Sequence, residues 1–247
     1  MYINTTGLIL RETKYKDSSK ILTVLTESEG KLTVSARGAL RKDSKLMAAT
    51  QPLAYSEMTL SSSRDRWTMT EARPVELFSG LSGEVTALAL GSYFAELIEA
   101  VSDEDMPNPE LLSLALNALY VLSESLKDER LVKPAFEMRL MCLGGFAPRL
   151  ERCNACGKER PEEPVLDVAG GVVLCGKSCG RGAGQAVKLC DGSLGAMRHI
   201  VTAEAKKIYS FKVPPDALGR LARAAEGYTL AQLDRRFGTL DFYKSLK

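Results

Sequence analysis

The chain has 247 residues, of which 45% are hydrophobic and 26% are charged, with 33 basic and 31 acidic side chains. This composition excludes a disordered chain and a histone-like polycation, and the length allows one to three domains. The single histidine, His199, excludes metal sites built on two or three histidines and argues against a histidine-based catalytic triad.

Residues 1–80 have the pattern of β-strands separated by turns. The β-rich runs are Gly7–Thr13, Lys20–Thr26, Lys31–Arg37, Gln51–Leu60 and Trp67–Ala72. Glu29-Gly30, between two of these runs, is typical of a hairpin turn. Five short strands within about 75 residues predict a small closed barrel, and the pattern is compatible with both an OB-fold and an SH3-like barrel.

Residues 81–148 are predicted to form a helical bundle that contains the main core. Apolar residues recur at helical spacing over Val85–Val101. Asn108-Pro109 then supplies an N-cap and a proline at the first position of a second helix. A third helix is predicted to begin near Asp128 and to end at Gly144-Gly145.

Residues 149–190 form the third predicted domain and carry the sharpest motif. Two cysteine pairs, Cys153 with Cys156 and Cys175 with Cys179, are separated by eighteen residues. Two tight turns that each hold two sulfurs are typical of zinc, and four cysteines close the site to substrate. We therefore predict one structural Zn²⁺ on these four residues. A redox dithiol of Cys153 and Cys156 is the alternative, but the thioredoxin-like βαβ context is missing.

Three further features near this module have plain interpretations. Cys142 lies in an apolar helix end and is interpreted as a core thiol, whereas Cys190 is interpreted as a spare cysteine. The glycine-rich stretch at residues 180–184 follows no strand and lacks a Walker lysine, so we do not interpret it as a nucleotide-binding loop.

Residues 191–247 are predicted to return to helix and to pack on the bundle. The predicted helices are Ser193–Val201 and Asp216–Phe237, with Pro214-Pro215 as the break between them. The chain has no apolar run of about 18 residues and no signal-peptide pattern at its start, so we expect a cytoplasmic protein without a membrane contact. The fold class is therefore α+β with several domains.

The strings at Gly145–Gly157 and between Gly7 and Pro52 resemble the RecO family of DNA-repair proteins, and the resemblance covers essentially the whole chain. The string Gly145-Phe146-Ala147-Pro148-Arg149-Leu150-Glu151-Arg152-Cys153-Asn154-Ala155-Cys156-Gly157 resembles the segment that opens the family's zinc module. The N-terminal matches are Gly7–Leu10, Tyr15–Asp17, Ile21–Thr26, Gly30-Lys31, Ala36–Ala39, Ser44 and Gln51-Pro52. The second cysteine pair is one residue wider than the family's usual gap, and some members lack the cysteines. We therefore interpret the zinc as a scaffold.

The resemblance implies an N-terminal OB-fold that binds single- and double-stranded DNA and anneals complementary strands. It also implies help in loading RecA onto DNA coated with single-stranded DNA-binding protein (SSB), with RecR and the acidic tail of SSB as partners. Such a protein would be a stoichiometric mediator without covalent catalysis, associated with the nucleoid. The alternative is a zinc-stabilised OB-fold protein without mediator activity, for example in RNA metabolism.

Basic residues cluster in the predicted barrel, although residues 81–140 are acidic, with 11 acidic and 4 basic side chains. Binding of a nucleic acid without sequence readout needs a positive surface that follows the phosphates. We predict DNA contacts from Lys14, Lys31, Arg37, Arg41, Lys42, Lys45, Arg64 and Arg66. Tyr15 is a possible stacking platform, whereas Trp67 is interpreted as core.

A site for the acidic SSB tail needs an apolar pocket with basic residues at its edge. Arg130 and Lys133 are three residues apart on a predicted helix and therefore lie on one face. We predict the tail site there. The alternative is that these two side chains pair with Glu129 or Glu137.

Overall fold

A computed structural model describes residues 1–64, 66–179 and 185–247, so the glycine-rich stretch 180–184 lies outside the described residues. The strands are β1 Tyr2–Tyr15, β2 Ser19–Thr26, β3 Gly30–Ala36, β4 Tyr55–Ser63, β5 Arg66–Glu76, β6 Pro164–Asp167, β7 Val172–Cys175 and β8 Ala186–Lys188. The α-helices are α1 Val85–Val101, α2 Pro109–Ser123, α3 Glu129–Leu143, α4 Asp191–Thr202, α5 Pro215–Leu233 and α6 Gly238–Ser245.

The chain forms two compact units. The first consists of Met1–Leu126 and Phe237–Lys247, and the second consists of Lys127–Arg236. The four segments expected from the sequence, 1–80, 81–148, 149–190 and 191–247, are a different division of the chain and stay a prediction. Within the described ranges, every helix is too short or too polar to cross a membrane.

A closed five-stranded barrel forms the N-terminal part of the first unit. Its strands follow one another in the order β1, β2, β3, β5 and β4, and β4 pairs with β1 to complete the circle. The neighbours are antiparallel except for β3 and β5, which run parallel where Val34 pairs with Trp67. This arrangement confirms the predicted OB-like barrel.

The interior of the barrel is filled by alternate side chains of its strands. Ile9, Leu22, Val24, Val34 and Leu60 are fully buried there. Residues on either side of Ile9 in β1 are buried as well, and helices α1 and α2 pack against this strand. Burial on both faces explains why residues 8–10 are continuously apolar instead of alternating.

The helices of the first unit are α1, α2 and α6. The Asn108 side chain accepts a hydrogen bond from the Leu111 backbone N–H at 3.0 Å, which confirms the predicted N-cap of α2. Helix α6 packs against α1, with the rings of Tyr93 and Phe237 edge to face and their centroids 5.9 Å apart. In the same contact, Glu96 accepts hydrogen bonds from Thr239.

The prediction of one helix over Asp216–Phe237 is wrong at its end. Helix α5 stops at Leu233, and Asp234 adopts a left-handed conformation with φ of 45°. The chain then begins α6 at Gly238, an element that the sequence pattern did not reveal. Periodicity alone does not locate this break, because apolar residues continue on both sides of it.

The second unit combines helices α3, α4 and α5 with a small antiparallel sheet. The sheet has the strand order β7, β6, β8, with β6 paired antiparallel to both of its neighbours. Helix α3 begins with Asp128 as its N-cap and ends before Gly144, as predicted. The sheet and the loops around it carry all four cysteines of the motif.

Gly30 offers a test of how closely the β2–β3 turn is packed. This glycine turns the chain between β2 and β3 with φ of 72°. A Cβ at this position would lie 2.3 Å from the Met106 backbone oxygen. Gly38 has nearly the same φ, 71°, but its nearest neighbour would be Arg41 Cδ at 3.6 Å. We expect Gly38→Ala to cost about 1–2 kcal/mol of backbone strain and Gly30→Ala about 1–3 kcal/mol more. Urea unfolding of both variants measures the difference, and equal losses would contradict the contact.

Candidate nucleic-acid interface and metal centre

The β1–β2 turn and the loop after β3 meet at one end of the barrel. Tyr15 at the end of β1 pairs with Ser19 at the start of β2. The Gly38 backbone N–H donates to Ser19 Oγ at 3.3 Å, and the Leu40 N–H donates to the Ser18 carbonyl at 3.0 Å. These two hydrogen bonds attach the basic loop after β3 to the β1–β2 turn.

The β4–β5 turn precedes β5, which runs parallel to β3, so this turn lies toward the start of β3 and not at the end from which the basic loop leaves. Trp67 pairs with Val34, and β5 begins one residue earlier, at Arg66. At about 3.3 Å per residue along a strand, Arg66 lies roughly 10–15 Å from Arg37, which directly follows β3. Barrel closure thus brings Arg66 beside the middle of β3, although the two are distant in the chain.

We call the exposed basic side chains at the β1–β2 turn, the loop after β3 and the β4–β5 turn the basic rim. Its members are Lys14, Lys16, Arg37, Arg41, Lys42, Lys45, Arg64 and Arg66. Within residues 1–64, 66–179 and 185–247, none of them forms an ion pair with a carboxylate. Lys16 was not among the predicted contacts, although the sequence Lys14-Tyr15-Lys16 in a turn is a readable signal for it.

The remaining cations of the barrel differ from the basic rim because other groups of the protein satisfy them. Arg11 pairs with Glu99 at 2.7 Å, Arg73 pairs with Glu57 at 2.7 Å, and Lys20 pairs with Glu12. The Lys31 ammonium, predicted to contact DNA, donates to the Glu99 backbone carbonyl at 3.0 Å, near the C-terminal end of α1. A cation is favourable at that end of a helix, so we leave Lys31 out of the basic rim.

Aromatic groups near the basic rim have two different environments. Tyr15 is 48% exposed, and the Lys16 ammonium lies 5.3 Å from the centroid of its ring. Trp67 instead packs against the hydrophobic cluster inside the barrel, as interpreted from the sequence. Tyr15 is therefore the aromatic face that a nucleobase can reach beside the β1–β2 turn.

The two residues predicted to receive the SSB tail lie in α3 of the second unit and have different surroundings. Arg130 is exposed and pairs with Asp128. The Lys133 ammonium is buried between Glu137, at 2.7 Å, and Glu226 on α5, at 2.9 Å. Burial lowers the pKa of Lys133, but the two carboxylates outweigh it and raise the pKa, so the ammonium stays charged inside the unit.

The four cysteines of the motif lie together in the second unit. Their sulfur atoms are all within 4.8 Å of one another, and the sulfurs of Cys156 and Cys175 are 3.7 Å apart. A disulfide would need about 2.05 Å. In a tetrahedral site with metal–sulfur bonds of about 2.3 Å, neighbouring sulfurs lie about 3.8 Å apart. The grouping therefore has the dimensions of a tetrathiolate metal site and could hold one ion.

Two tight turns bring the sulfurs to this point. In the first, the Gly157 N–H donates to the Cys153 carbonyl at 2.9 Å, and Gly157 has a φ of 77°. In the second, the Cys179 N–H donates to the Cys175 carbonyl at 3.0 Å. Cys153 and Cys175 are buried, whereas Cys156 is exposed, so the site lies at the surface of its unit.

The thiols of the cluster differ in pKa. A hydrogen bond with Cys156 raises the pKa of Cys179 to about 11, and burial raises the pKa of Cys175. Burial raises the pKa of Cys153, but backbone N–H groups of Cys156, Cys175 and Ala155 outweigh it and lower the pKa to about 6. Thiolate is the form that binds metal. Cys142 and Cys190 are outside the cluster: burial raises the pKa of Cys142, and Cys190 is the N-cap residue of α4, close to the Ser193 hydroxyl.

Comparison with known proteins identifies the family. The family model for the N terminus of recombination protein O matches residues 1–78 of this chain. The family model for the C terminus of recombination protein O matches residues 83–241. The chain belongs to the recombination protein O family. This family, RecO, is one of DNA-repair proteins, and its assignment confirms the resemblance seen in the sequence.

Similar RecO proteins cover the chain from end to end. DNA repair protein RecO of Acetivibrio thermocellus is 29% identical over 245 residues, which are 99% of this chain and 97% of the relative. RecO of Symbiobacterium thermophilum is 30% identical over 251 residues, with 99% and 97% covered. RecO of Alkaliphilus metalliredigens is 28% identical over 247 residues, with both chains fully covered.

Proposed function

We propose that this RecO-family protein is a recombination mediator. It binds single- and double-stranded DNA through the basic rim, anneals complementary strands, and helps to load RecA onto SSB-coated DNA. The observation that carries the DNA-binding part is the basic rim, which has eight exposed cations without ion pairs to described carboxylates on three segments of an OB-like barrel. The name of the relatives, DNA repair protein RecO, supports the same process.

The absence of these ion pairs has a direct energetic consequence. A cation that already pairs with a carboxylate must give up that pair before it binds a phosphate, whereas a solvated cation only releases the counterions of the DNA. The cations of the basic rim are of the second kind within the described residues, in contrast to Arg11 and Arg73. In other OB proteins, the face of the second and third strands and the loops between β1 and β2 and between β4 and β5 bind oligonucleotides.

Annealing follows from the same charges. Two DNA strands repel each other, and cations that neutralise phosphates of both lower that repulsion while the base edges remain free to pair. Exposed Tyr15 stacks on a base in a sequence-tolerant way. The mechanism is stoichiometric and involves no covalent step, because binding energy alone brings the strands together.

For the four-cysteine site we propose a single Zn²⁺. Zinc prefers tetrahedral thiolate coordination, and four cysteines leave no open position for a substrate. The ion would hold the two turns of the second unit together, so its contribution is to stability. The DNA-binding residues of our proposal lie in the other unit.

RecR, the SSB tail and RecA are the proposed protein partners. For the acidic tail we propose a contact with Arg130, since its guanidinium is 71% exposed and its partner Asp128 is itself at the surface. We propose that Lys133 helps to hold helix α3 in place and does not itself bind the tail, because its ammonium is buried between two carboxylates of the protein.

Simultaneous change of Arg37, Arg41 and Lys42 to alanine tests DNA binding. We expect weaker binding of single-stranded DNA and a salt dependence whose slope falls by roughly 2–3 units, because each lost phosphate contact removes about one. Fluorescence anisotropy at several salt concentrations measures both quantities.

The matched control changes three cations that have surface ion pairs, Arg73, Lys158 and Lys177, to alanine. It removes the same net charge and should keep most of the affinity and slope. Equal losses in the two triple variants would contradict a localised DNA site.

Metal removal tests the zinc proposal. We expect one Zn²⁺ per chain, and we expect a chelator to release it together with four newly reactive thiols and to lower the thermal stability, since ligand binding and folding are coupled. Metal analysis, a thiol titration and an unfolding scan measure these changes. Cys142→Ser, outside the cluster, should keep the zinc, whereas Cys156→Ser should weaken it. Fewer than four protected thiols would argue for a different site.

Annealing of complementary strands coated with SSB tests the mediator proposal. We expect the wild-type protein to accelerate annealing on SSB-coated DNA. Arg130→Ala should slow that reaction but not the annealing of bare strands, because only the former uses the tail contact. A protein that prefers RNA and does not accelerate annealing would favour the alternative of a plain nucleic-acid-binding protein.

A further inference from the structure

Arg198, on the inner side of α4, bonds to the loop that carries the first cysteine pair. Its Nε donates to the Leu150 carbonyl at 2.7 Å. One of its terminal nitrogens donates to the Glu151 carbonyl at 2.8 Å and to the Glu159 carbonyl at 2.9 Å. Three backbone carbonyls of one loop thus share a single guanidinium.

These carbonyls lie on both arms of the loop. Two of them precede Cys153, and the third follows Cys156. The arms are also joined by the Cys153 N–H, which donates to the Lys158 carbonyl at 2.8 Å. Arg198 therefore spans the base of the first cysteine turn and holds its two arms at a set distance.

The opposite side of the turn is attached to the sheet. The Asn154 N–H donates to the Val173 carbonyl at 2.9 Å, and the Cys175 N–H donates to Cys153 Sγ at 3.3 Å. Strand β7, which contains Val173, ends at Cys175 of the second pair. Backbone bonds thus join the two pairs on one side, and Arg198 supports the first pair on the other.

We infer that Arg198 is a positioning residue for the four-cysteine metal site, an inference that depends on the zinc proposal above. Arginine suits this role because its planar group offers five donors in a fixed arrangement, whereas lysine offers a point charge on a flexible stem. With the guanidinium in place, the first turn holds its sulfurs near the binding geometry before the ion arrives. Groups that orient ligands in this way usually change metal affinity by about 10–100-fold.

The test measures Zn²⁺ affinity of the full chain by competition with a chromophoric chelator, and the thiolate-to-metal absorption after Co²⁺ replaces Zn²⁺. We expect Arg198→Ala to lower the affinity by about 10–100-fold and to speed zinc loss to the chelator. Arg198→Lys should have an intermediate affinity, because it replaces at most part of the three contacts.

Arg139→Ala is the matched control. Arg139 is also partly buried in the second unit and donates to one backbone carbonyl, that of Val201, at 2.9 Å, outside the cysteine loop. It should lose stability without a comparable change in zinc affinity or in the Co²⁺ spectrum. If Arg198 had only a structural role, Arg198→Ala and Arg139→Ala would both lower the unfolding midpoint. The zinc affinity and the Co²⁺ spectrum of both variants would then stay unchanged.

The possible outcomes distinguish a failure of this inference from a failure of the zinc proposal or of the DNA-binding proposal. Wild-type affinity in folded Arg198→Ala, or in Arg198→Lys if the alanine variant does not fold, would overturn the positioning role. An equal loss of affinity in Arg139→Ala would overturn it too. A wild-type protein that binds no zinc would fail at the earlier step, and anisotropy with single-stranded DNA, measured in parallel, reports separately on the basic rim.

Discussion

Closure of the five-stranded barrel determines where the positive charges of residues 1–80 are exposed. The parallel pairing of Val34 with Trp67 inserts β5 between β3 and β4 and places Arg66 beside the middle of β3. The backbone hydrogen bond from Leu40 to Ser18 holds the loop after β3 beside the β1–β2 turn. The cations of the β1–β2 turn and of the loop after β3 thus become neighbours, and their mutual repulsion favours a polyanion as partner.

The other cations of the barrel have partners within the protein, which distinguishes them from the cations of the basic rim. Arg11, Lys20 and Arg73 have carboxylate partners, and Lys31 bonds to the end of a helix. These four residues are as basic as those of the basic rim, yet their charges serve the internal structure of their unit. The proposed DNA surface therefore includes the cations that are solvated and leaves out those that already have a partner within the protein.

In the second unit, helices α3, α4 and α5 pack on one another, and the four cysteines lie beside the small sheet. This sheet provides little core, and the buried cluster beside it includes two of the metal-ligand candidates, Cys153 and Cys175. A metal ion can supply the cohesion that so small a hydrophobic core lacks. Hydrogen bonds from Arg198 and from the strand backbone then take over the task of orienting the turns.

The sequence by itself determined the five barrel strands, the first three helices and the four-cysteine motif, because each depends on local periodicity, capping or spacing. The family followed from the resemblance of its residue strings to those of RecO proteins. The sequence also indicated most members of the basic rim. Only the tertiary structure decided that Lys31 and Lys133 are engaged by internal partners, that α6 is a separate helix packed on α1, and that Arg198 spans the cysteine loop. These features depend on contacts between residues far apart in the chain, and local sequence patterns carry no record of which distant carboxylate or carbonyl a cation meets.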